Sequence, residues 1–374
     1  MMEASVASDH NVATAVNHWP RLSDEMVLFI LSHLPRKDLV KVSKVSKKFR
    51  DLSRDDSLWT DLTLDCKDIK RKADSCRKLV ERCKKLAILK ISNRFVNSTV
   101  NIMTVVIRAK ESLKSLEVNR LLETWTPAAM AKLGQMKNLS CLTMDFNSDA
   151  LKVNGYAGAK MLEDLAKLDK LEVLNLVISH REEGFHPRSN SLPSMKNVFQ
   201  TLKKLKNVNI SLPDSNYDES LVVTLAKNSP DLTSLRFMNY PPLSEESVDI
   251  LASSCPSLQE LNIRFRDGGS DINKLSSSFP NLKQLFVRGC EGLDNEKLIE
   301  FEKFKMLEKL ELQLDIYISN TNKSITDSGI ERMVNAAKKL KNLRMWGWYP
   351  NVTRDFVKRM RIEYPDLVLR INSY

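Results

Sequence analysis

Apolar residues recur along the chain as L-x-x-L-x-L, with another apolar residue standing in for some leucines. The pattern runs through Trp59/Leu62/Leu64, Leu86/Leu89/Ile91, Leu113/Leu116/Val118, Leu139/Leu142/Met144, Leu171/Leu174/Leu176 and Leu205/Val208/Ile210. It continues through Leu232/Leu235/Phe237, Leu258/Leu261/Ile263, Leu282/Leu285/Val287, Leu307/Leu310/Leu312 and Leu343/Trp346/Trp348, with an ambiguous last copy at Tyr364/Leu367/Leu369. Successive copies start 21 to 36 residues apart, the mark of a repeat architecture. The alternating part of each copy predicts a short strand with two buried positions. Between copies lie amphipathic stretches with helix starts. Thr126 precedes Pro127, Ser244 precedes Glu245 and Glu246, and Thr326 with Asp327 and Thr353 with Asp355 look alike. One strand and one helix cannot bury their apolar faces alone. The units are therefore predicted to stack into a curved α/β solenoid, its parallel sheet on the concave side and its helices outside.

These copies resemble leucine-rich repeats, about 11–12 irregular ones across residues 59–374. Asn147, Cys290 and Asn351 fill the Asn/Cys position that follows the strand, and residues 287–299 and 325–343 resemble the cysteine-containing subtype.

The segment ahead of the repeats has a different period. Ser23 is placed to cap a helix with apolar positions Met26, Val27, Ile30, Leu31 and Leu34, ended by Pro35. Leu39, Val42 and Val45 share a face of a second helix, and Phe49 and Leu52 continue onto a third before Leu58-Trp59. Helices this short cannot enclose a full core, so an external partner or the repeats should complete it.

Residues 18–62 closely resemble the F-box, with residues 1–17 expected to be a disordered N-terminus. The resemblance rests on Pro20, Glu25, Ile30-Leu31, Leu34, Pro35, Asp38-Leu39, Val45, Phe49 and Leu58-Trp59. Trp19 replaces a leucine, two extra residues follow Pro20, Ser46 replaces a cysteine and Phe49 a tryptophan. It implies docking on a Skp-family adaptor, and through it on cullin and RING subunits, by Pro20, Leu22, Glu25, Ile30, Leu31, Leu34, Pro35, Leu39, Val45, Phe49, Leu58 and Trp59. An F-box joined to leucine-rich repeats, with Trp59 shared at a rigid junction, resembles the substrate receptors of Skp–cullin–F-box ubiquitin ligases. That resemblance implies a non-catalytic subunit working by proximity. A scaffold that binds without ubiquitylation is the alternative, and a basic nucleic-acid-binding solenoid a third reading.

Composition narrows these readings. The 374 residues are 42% apolar with a net charge of +11, enough for a large core. Ten glycines in the whole chain argue against a nucleotide-binding fold built on glycine-rich turns. Gly155 to Lys160 (GYAGAK) has the wrong spacing for a phosphate loop and reads as the start of a repeat helix. Six cysteines without a C-x-x-C pair, and no histidine at ligand spacing, exclude a zinc finger or RING. His180 and His186 sit in a polar loop without a nucleophile motif. No cofactor or metal is expected. No apolar run is long enough to span a bilayer and no signal pattern opens the chain. The protein is thus expected to be soluble and intracellular, cytoplasmic or nuclear, with no membrane partner. The basic stretch 67–90 reads as a charged outer helix face. At 7% aromatic residues the chain offers few platforms for stacked bases, which disfavours nucleic acid.

The strand positions that alternate with the buried ones should face inward. In repeats seven to nine they are Ser234, Arg236, Met238, then Glu260, Asn262, Arg264, then Gln284, Phe286, Arg288. Arg264 and Arg288 share a column, and like charges side by side are unfavourable. Arg236, Met238, Arg264, Phe286 and Arg288 are thus expected to bind a protein substrate that is acidic or phosphorylated. Neutralisation by Glu260 and Glu311 within the sheet is the competing reading. Insertions at 177–197 and 315–326 should project from one rim and either bind or be tolerated.

Overall fold

The computed structural model describes residues 22–65, 83–92, 109–121, 131–147, 162–179, 192–211, 218–238, 242–264, 272–290, 292–314 and 322–371. The N-terminal tail, Pro20, Thr126-Pro127, the 155–160 segment, most of the 67–90 stretch, His180, His186 and the centres of both insertions lie outside them. The chain divides after Thr60 into two compact units.

The first unit is helical. Ser23 accepts a hydrogen bond from the Met26 N–H and starts α1 (Asp24–Ser32), whose first turn carries Asp24 and Glu25, the charge that suits the positive end of a helix. Pro35 precedes α2 (Arg36–Val42), Ser46 caps α3 (Lys47–Leu52) and Asp55 caps a 3-10 turn (Asp56–Trp59). Lys48 ties α3 back to α1 by donating to the Leu22 carbonyl at 2.9 Å and pairing with Asp24 at 3.0 Å.

The second unit is the expected α/β solenoid: a twelve-stranded sheet, all parallel, in the order β1 to β12. The strands are β1 Asp61–Asp65, β2 Ile88–Ser92, β3 Ser115–Leu121, β4 Cys141–Asn147, β5 Val173–Ser179 and β6 Asn207–Ser211. They continue with β7 Ser234–Met238, β8 Glu260–Arg264, β9 Gln284–Arg288, β10 Lys309–Gln313, β11 Asn342–Trp346 and β12 Val368–Ile371. Helices among the described connections are α4 (Leu192–Thr201), α5 (Ser220–Asn228), α6 (Glu245–Ser254), α7 (Ile272–Ser278), α8 (Asn295–Ile299), α9 (Asp327–Ala336) and α10 (Arg354–Glu363). The fourth and sixth positions of the repeat form two buried columns. Leu235, Leu261, Leu285, Leu310 and Leu343 lie in one, and Phe237, Ile263, Val287, Leu312 and Met345 in the other.

Two devices keep neighbouring units in step. At the start of most strands one carbonyl of the preceding unit accepts two successive N–H groups, as Lys206 O does from Thr233 and Ser234, and Glu308 O from Lys341 and Asn342. This fixes register whatever the length of the connection. At the helix starts, a side chain reaches the cap of the next repeat. Glu219 accepts from Ser244 N–H at 2.9 Å, Asn295 from Thr326 N–H at 3.0 Å and Asp327 from Thr353 N–H at 2.8 Å. Each satisfies a backbone donor that the helix itself leaves unpaired.

The eleventh repeat corrects the sequence reading. Leu343 pairs with Leu310 and Met345 with Leu312, so this copy is Leu340/Leu343/Met345, three residues earlier than Leu343/Trp346/Trp348. Both triplets satisfy the pattern by size. Register chooses the one that leaves Trp346 and Trp348 exposed.

Candidate functional site

In the helical unit, the nominated adaptor-binding residues fall into two classes. Leu31, Leu39, Leu58 and Trp59 are buried, and Trp59 donates its indole N–H to the Ser53 carbonyl at 2.7 Å. These four hold the chain's own structure, each contributing about 1.5–3 kcal/mol by leaving water. In the free chain these four lie outside the open surface, although the resemblance implies all of them for docking. Leu22, Leu34 and Phe49 are half-buried, while Glu25, Ile30, Pro35 and Val45 are exposed. Backbone N–H and the Ser23 hydroxyl hold the Glu25 carboxyl below its usual range.

The exposed apolar surface is made by Met26, Phe29, Ile30, Val40 and Val45, with Phe29 at 69% and Val45 at 71% exposure. On α1 the cause is angular. Val27 and Leu31, four apart, face the core, which leaves Met26, Phe29 and Ile30 along a second apolar stripe. Met26, Phe29 and Val40 lie outside the set of docking residues that the resemblance implies. The signal was present as more apolar positions than one helix face can bury. Phe29 is pre-set: its ring meets His33 edge-on at 4.7 Å, and His33 Nδ1 lies 2.8 Å from the Phe29 carbonyl.

The open face of the sheet is the second surface. Glu260, Asn262 and Arg264 alternate with buried Leu261 and Ile263, and the same alternation holds in β6, β9 and β10. Arg264 and Arg288 are register partners, as expected. Glu260 takes Arg236 in an ion pair and also accepts from the Ser234 hydroxyl at 2.7 Å. Glu311 takes Lys309 at 2.9 Å and Arg344 at 3.3 Å. The two carboxylates expected to neutralise Arg264 and Arg288 thus also serve other cations.

A hollow of about 420 Å³ opens on this face, lined by Asn209, Ser211, Arg236, Asn262, Phe286, Arg288, Glu311, Gln313 and Trp346, with Val177 at its margin. Phe286 meets two cations, with the Arg236 guanidinium 4.4 Å and the Lys309 ammonium 4.6 Å from the ring centroid. Of the nominated residues, Arg236, Phe286 and Arg288 meet here. Arg264 is not among the lining residues, and of Met238 only its strand position, paired with Ser211, is described. Trp346, Lys309 and Arg344 were missed. The first was hidden by the misplaced repeat, the other two because the reading stopped at repeat nine.

Charge on this face changes sign along the sheet. On β1 to β6 the described open-face positions carry Asp61, Glu117 and Asp145 against Lys90. On β7 to β12 they carry Arg236, Arg264, Arg288, Lys309, Arg344 and Arg370 against Glu260 and Glu311. Lys90 meets Glu117 at 2.8 Å. Lys90 and Asn119 lower the pKa of the Glu117 carboxyl, and Glu117 in turn raises that of the Lys90 ammonium.

Beyond the strands, Cys290 is buried and donates weakly to the Val287 carbonyl, while Asn351 donates to the Lys323 carbonyl at the surface. The amide that closes a loop here is one not nominated. Buried Asn322 donates to the Cys290 and Leu293 carbonyls and accepts from the N–H groups of Ser324 and Ile325. It anchors the described end of the second insertion. β5 runs to Ser179, so Val177 belongs to the strand and not to the first insertion. Among the described residues no helix is long and apolar enough to cross a membrane, and no cluster of side chains fits a metal ion.

Residues 19–65 match the F-box-like family. That stretch contains the exposed apolar residues of the helical unit and runs through the end of β1. In three dimensions the chain resembles a Rad7–Elc1 complex from yeast at 13% identity and TM-score 0.46, covering 95% of this chain and 94% of that one. It also resembles the TLR13–ssRNA13 complex at 14% identity and TM-score 0.41, spanning 37% of that chain with 79% of its own. At these scores neither likeness bears on function. No curated protein matches the chain in sequence.

Proposed function

We propose that this protein is a non-catalytic substrate receptor of a Skp–cullin–F-box ubiquitin ligase. In this reading the helical unit docks on a Skp-family adaptor, and through it on cullin and RING subunits, while the repeats hold the protein to be modified. The observation that carries it is the apolar stripe Met26, Phe29 and Ile30 of α1, left exposed with Val40 and Val45 inside the F-box-like match. A stripe of this kind on so small a unit is a liability unless a partner covers it. The protein would supply no reacting group, and its contribution would be to hold a substrate lysine near a ubiquitin thioester borne by another subunit. Such a receptor works where those subunits are, in the cytoplasm or nucleus.

The test is the lifetime of what the repeats bind. Removing residues 1–58 leaves the repeats able to hold a partner and unable to deliver it. Partners captured by affinity purification under proteasome inhibition should then have longer half-lives in cells expressing the truncated form. Unchanged half-lives for every repeat-bound protein, with adaptor binding retained by the full chain, would favour a scaffold without ubiquitylation.

A further inference from the structure

The open face of β6 to β11 has the makings of a recognition site more specific than a general binding surface. Its hollow, about 420 Å³, falls within the ordinary range for ligand pockets, roughly 300–1,000 Å³. Aromatic surface is available on two sides of it. Phe286 and Trp346 both line it, Trp346 with 43% of its surface exposed. Tryptophan and arginine are the side chains that most often dominate binding energy at interfaces. Half-exposed tryptophan beside arginine is costly to leave bare and useful to cover.

The charge balance selects the sign of the ligand. From β7 to β11, Arg236, Arg264, Arg288, Lys309 and Arg344 share the open face with Glu260 and Glu311. That is an excess of three positive charges, whatever local bonds each arginine makes. Facing strands of like charge repel across a spacing of about 4.8 Å. An anionic ligand removes that repulsion.

The polar groups select the kind of ligand. Asn209, Asn262 and Gln313 offer donor and acceptor on the same side chain, and Glu260 and Glu311 interrupt the cations. Peptide amides, which alternate N–H and C=O, can use both kinds of group. A nucleic-acid backbone presents only acceptors and one negative charge per residue, and two carboxylates in its path repel it. A row of stacking platforms is also absent from the lining residues.

We propose that this face binds an extended acidic peptide segment, with carboxylates on Arg288 and Arg344 and an apolar or aromatic side chain held between Phe286 and Trp346. This rests on the receptor reading above and names the class of substrate that it would take. Arginine suits the task because its planar fork pairs with a carboxylate through two bonds at once.

The full chain, in complex with its adaptor, should be titrated with three fluorescein-labelled probes of equal length. These are a glutamate/tyrosine peptide, a lysine/tyrosine peptide and a single-stranded oligothymidylate. The glutamate/tyrosine peptide should bind more than tenfold tighter than the other two, and more weakly as salt rises. Binding should fall at least tenfold in Arg288→Glu/Arg344→Glu and severalfold in Trp346→Ala. It should stay within twofold in Lys338→Glu/Arg354→Glu, which makes the same charge change at exposed helix-side positions. Arg288→Gln serves if the double reversal unfolds, with a severalfold loss expected. Equal losses in both double variants would reduce the effect to net charge and overturn the site. Tighter binding of oligothymidylate, lost in the same variants, would overturn the peptide assignment. Adaptor retention, read in the same samples, should be unchanged in all variants, so a failure here is distinct from a failure of the docking reading.

Discussion

Replacing Phe29 with alanine separates the docking stripe from the core beneath it. Fully burying a phenylalanine contributes about 1.5–3 kcal/mol. With 69% of Phe29 still exposed in the free chain, an adaptor that covers it should gain about 1–2 kcal/mol from this side chain. Its loss should weaken adaptor binding by about 5- to 30-fold, at 1.4 kcal/mol per factor of ten. Stability should move by only about 0.5 kcal/mol, as for most surface changes, because the ring's described ring contact is the edge of His33. Val45→Ala should act the same way with a smaller loss. Leu31→Ala should do the opposite. The side chain is 1% exposed, and deleting a buried leucine costs about 2–5 kcal/mol of stability, enough to loosen so small a unit. A charge at Leu31 would therefore abolish binding by unfolding and reveal nothing about the interface. Isothermal titration against a purified Skp-family adaptor, at fixed salt and beside a far-ultraviolet dichroism melt of each variant, measures both quantities. If Phe29→Ala and Val45→Ala melt normally and bind adaptor with undiminished affinity, the stripe is not the docking surface.

Gly329→Ala should destabilise the repeat unit by about 1–3 kcal/mol, since its Cβ would fall 1.8 Å from Asn295 Oδ1. In a chemical-denaturation cycle with Asn295→Ala the two losses should be strongly non-additive, and simple additivity would show that the inter-repeat cap is not the cause. Cys255 is buried, and desolvation pushes its thiol up to about 11 from an ordinary value of 9.0. The folded state therefore keeps the proton that the unfolded state loses. Its contribution to stability is complete below pH 9 and is lost as pH rises towards 11. Cys255→Ala should flatten that part of the stability–pH curve, and native Cys255 should resist iodoacetamide at pH 8; rapid alkylation mapped to Cys255 itself in the native chain would contradict the burial.

The repeats were legible because their cause is local and recurs. A buried column needs an apolar side chain at every step, and Leu261, Leu285 and Leu310 announce themselves by spacing alone. The caps Ser23, Ser244, Thr326 and Thr353 were readable for the same reason, each beside the acidic residues of its own first turn. Features set by the neighbouring repeat were not. Nothing near Asn295 in sequence marks it as the acceptor for Thr326, thirty-one residues on, and only register distinguishes Met345 from Trp346 as the buried member of its strand. On α1 the period revealed an apolar helix yet could not divide Val27 and Leu31 from Phe29 and Ile30. That division depends on which side α3 and the 3-10 turn pack.

Each strand is bonded only to those beside it in sequence, so the sheet is as strong as its poorest joint. Most strand pairs run their full common length, whereas the described register of β7 with β8 covers Ser234 with Glu260 and Leu235 with Leu261. Beside that joint Glu260 of β8 pairs with Arg236 of β7. In mechanical terms this is a seam with a latch. It falls one strand inside the basic half of the open face, so bending there would divide the cationic strands and part β7 from β8 while leaving each block of strands intact.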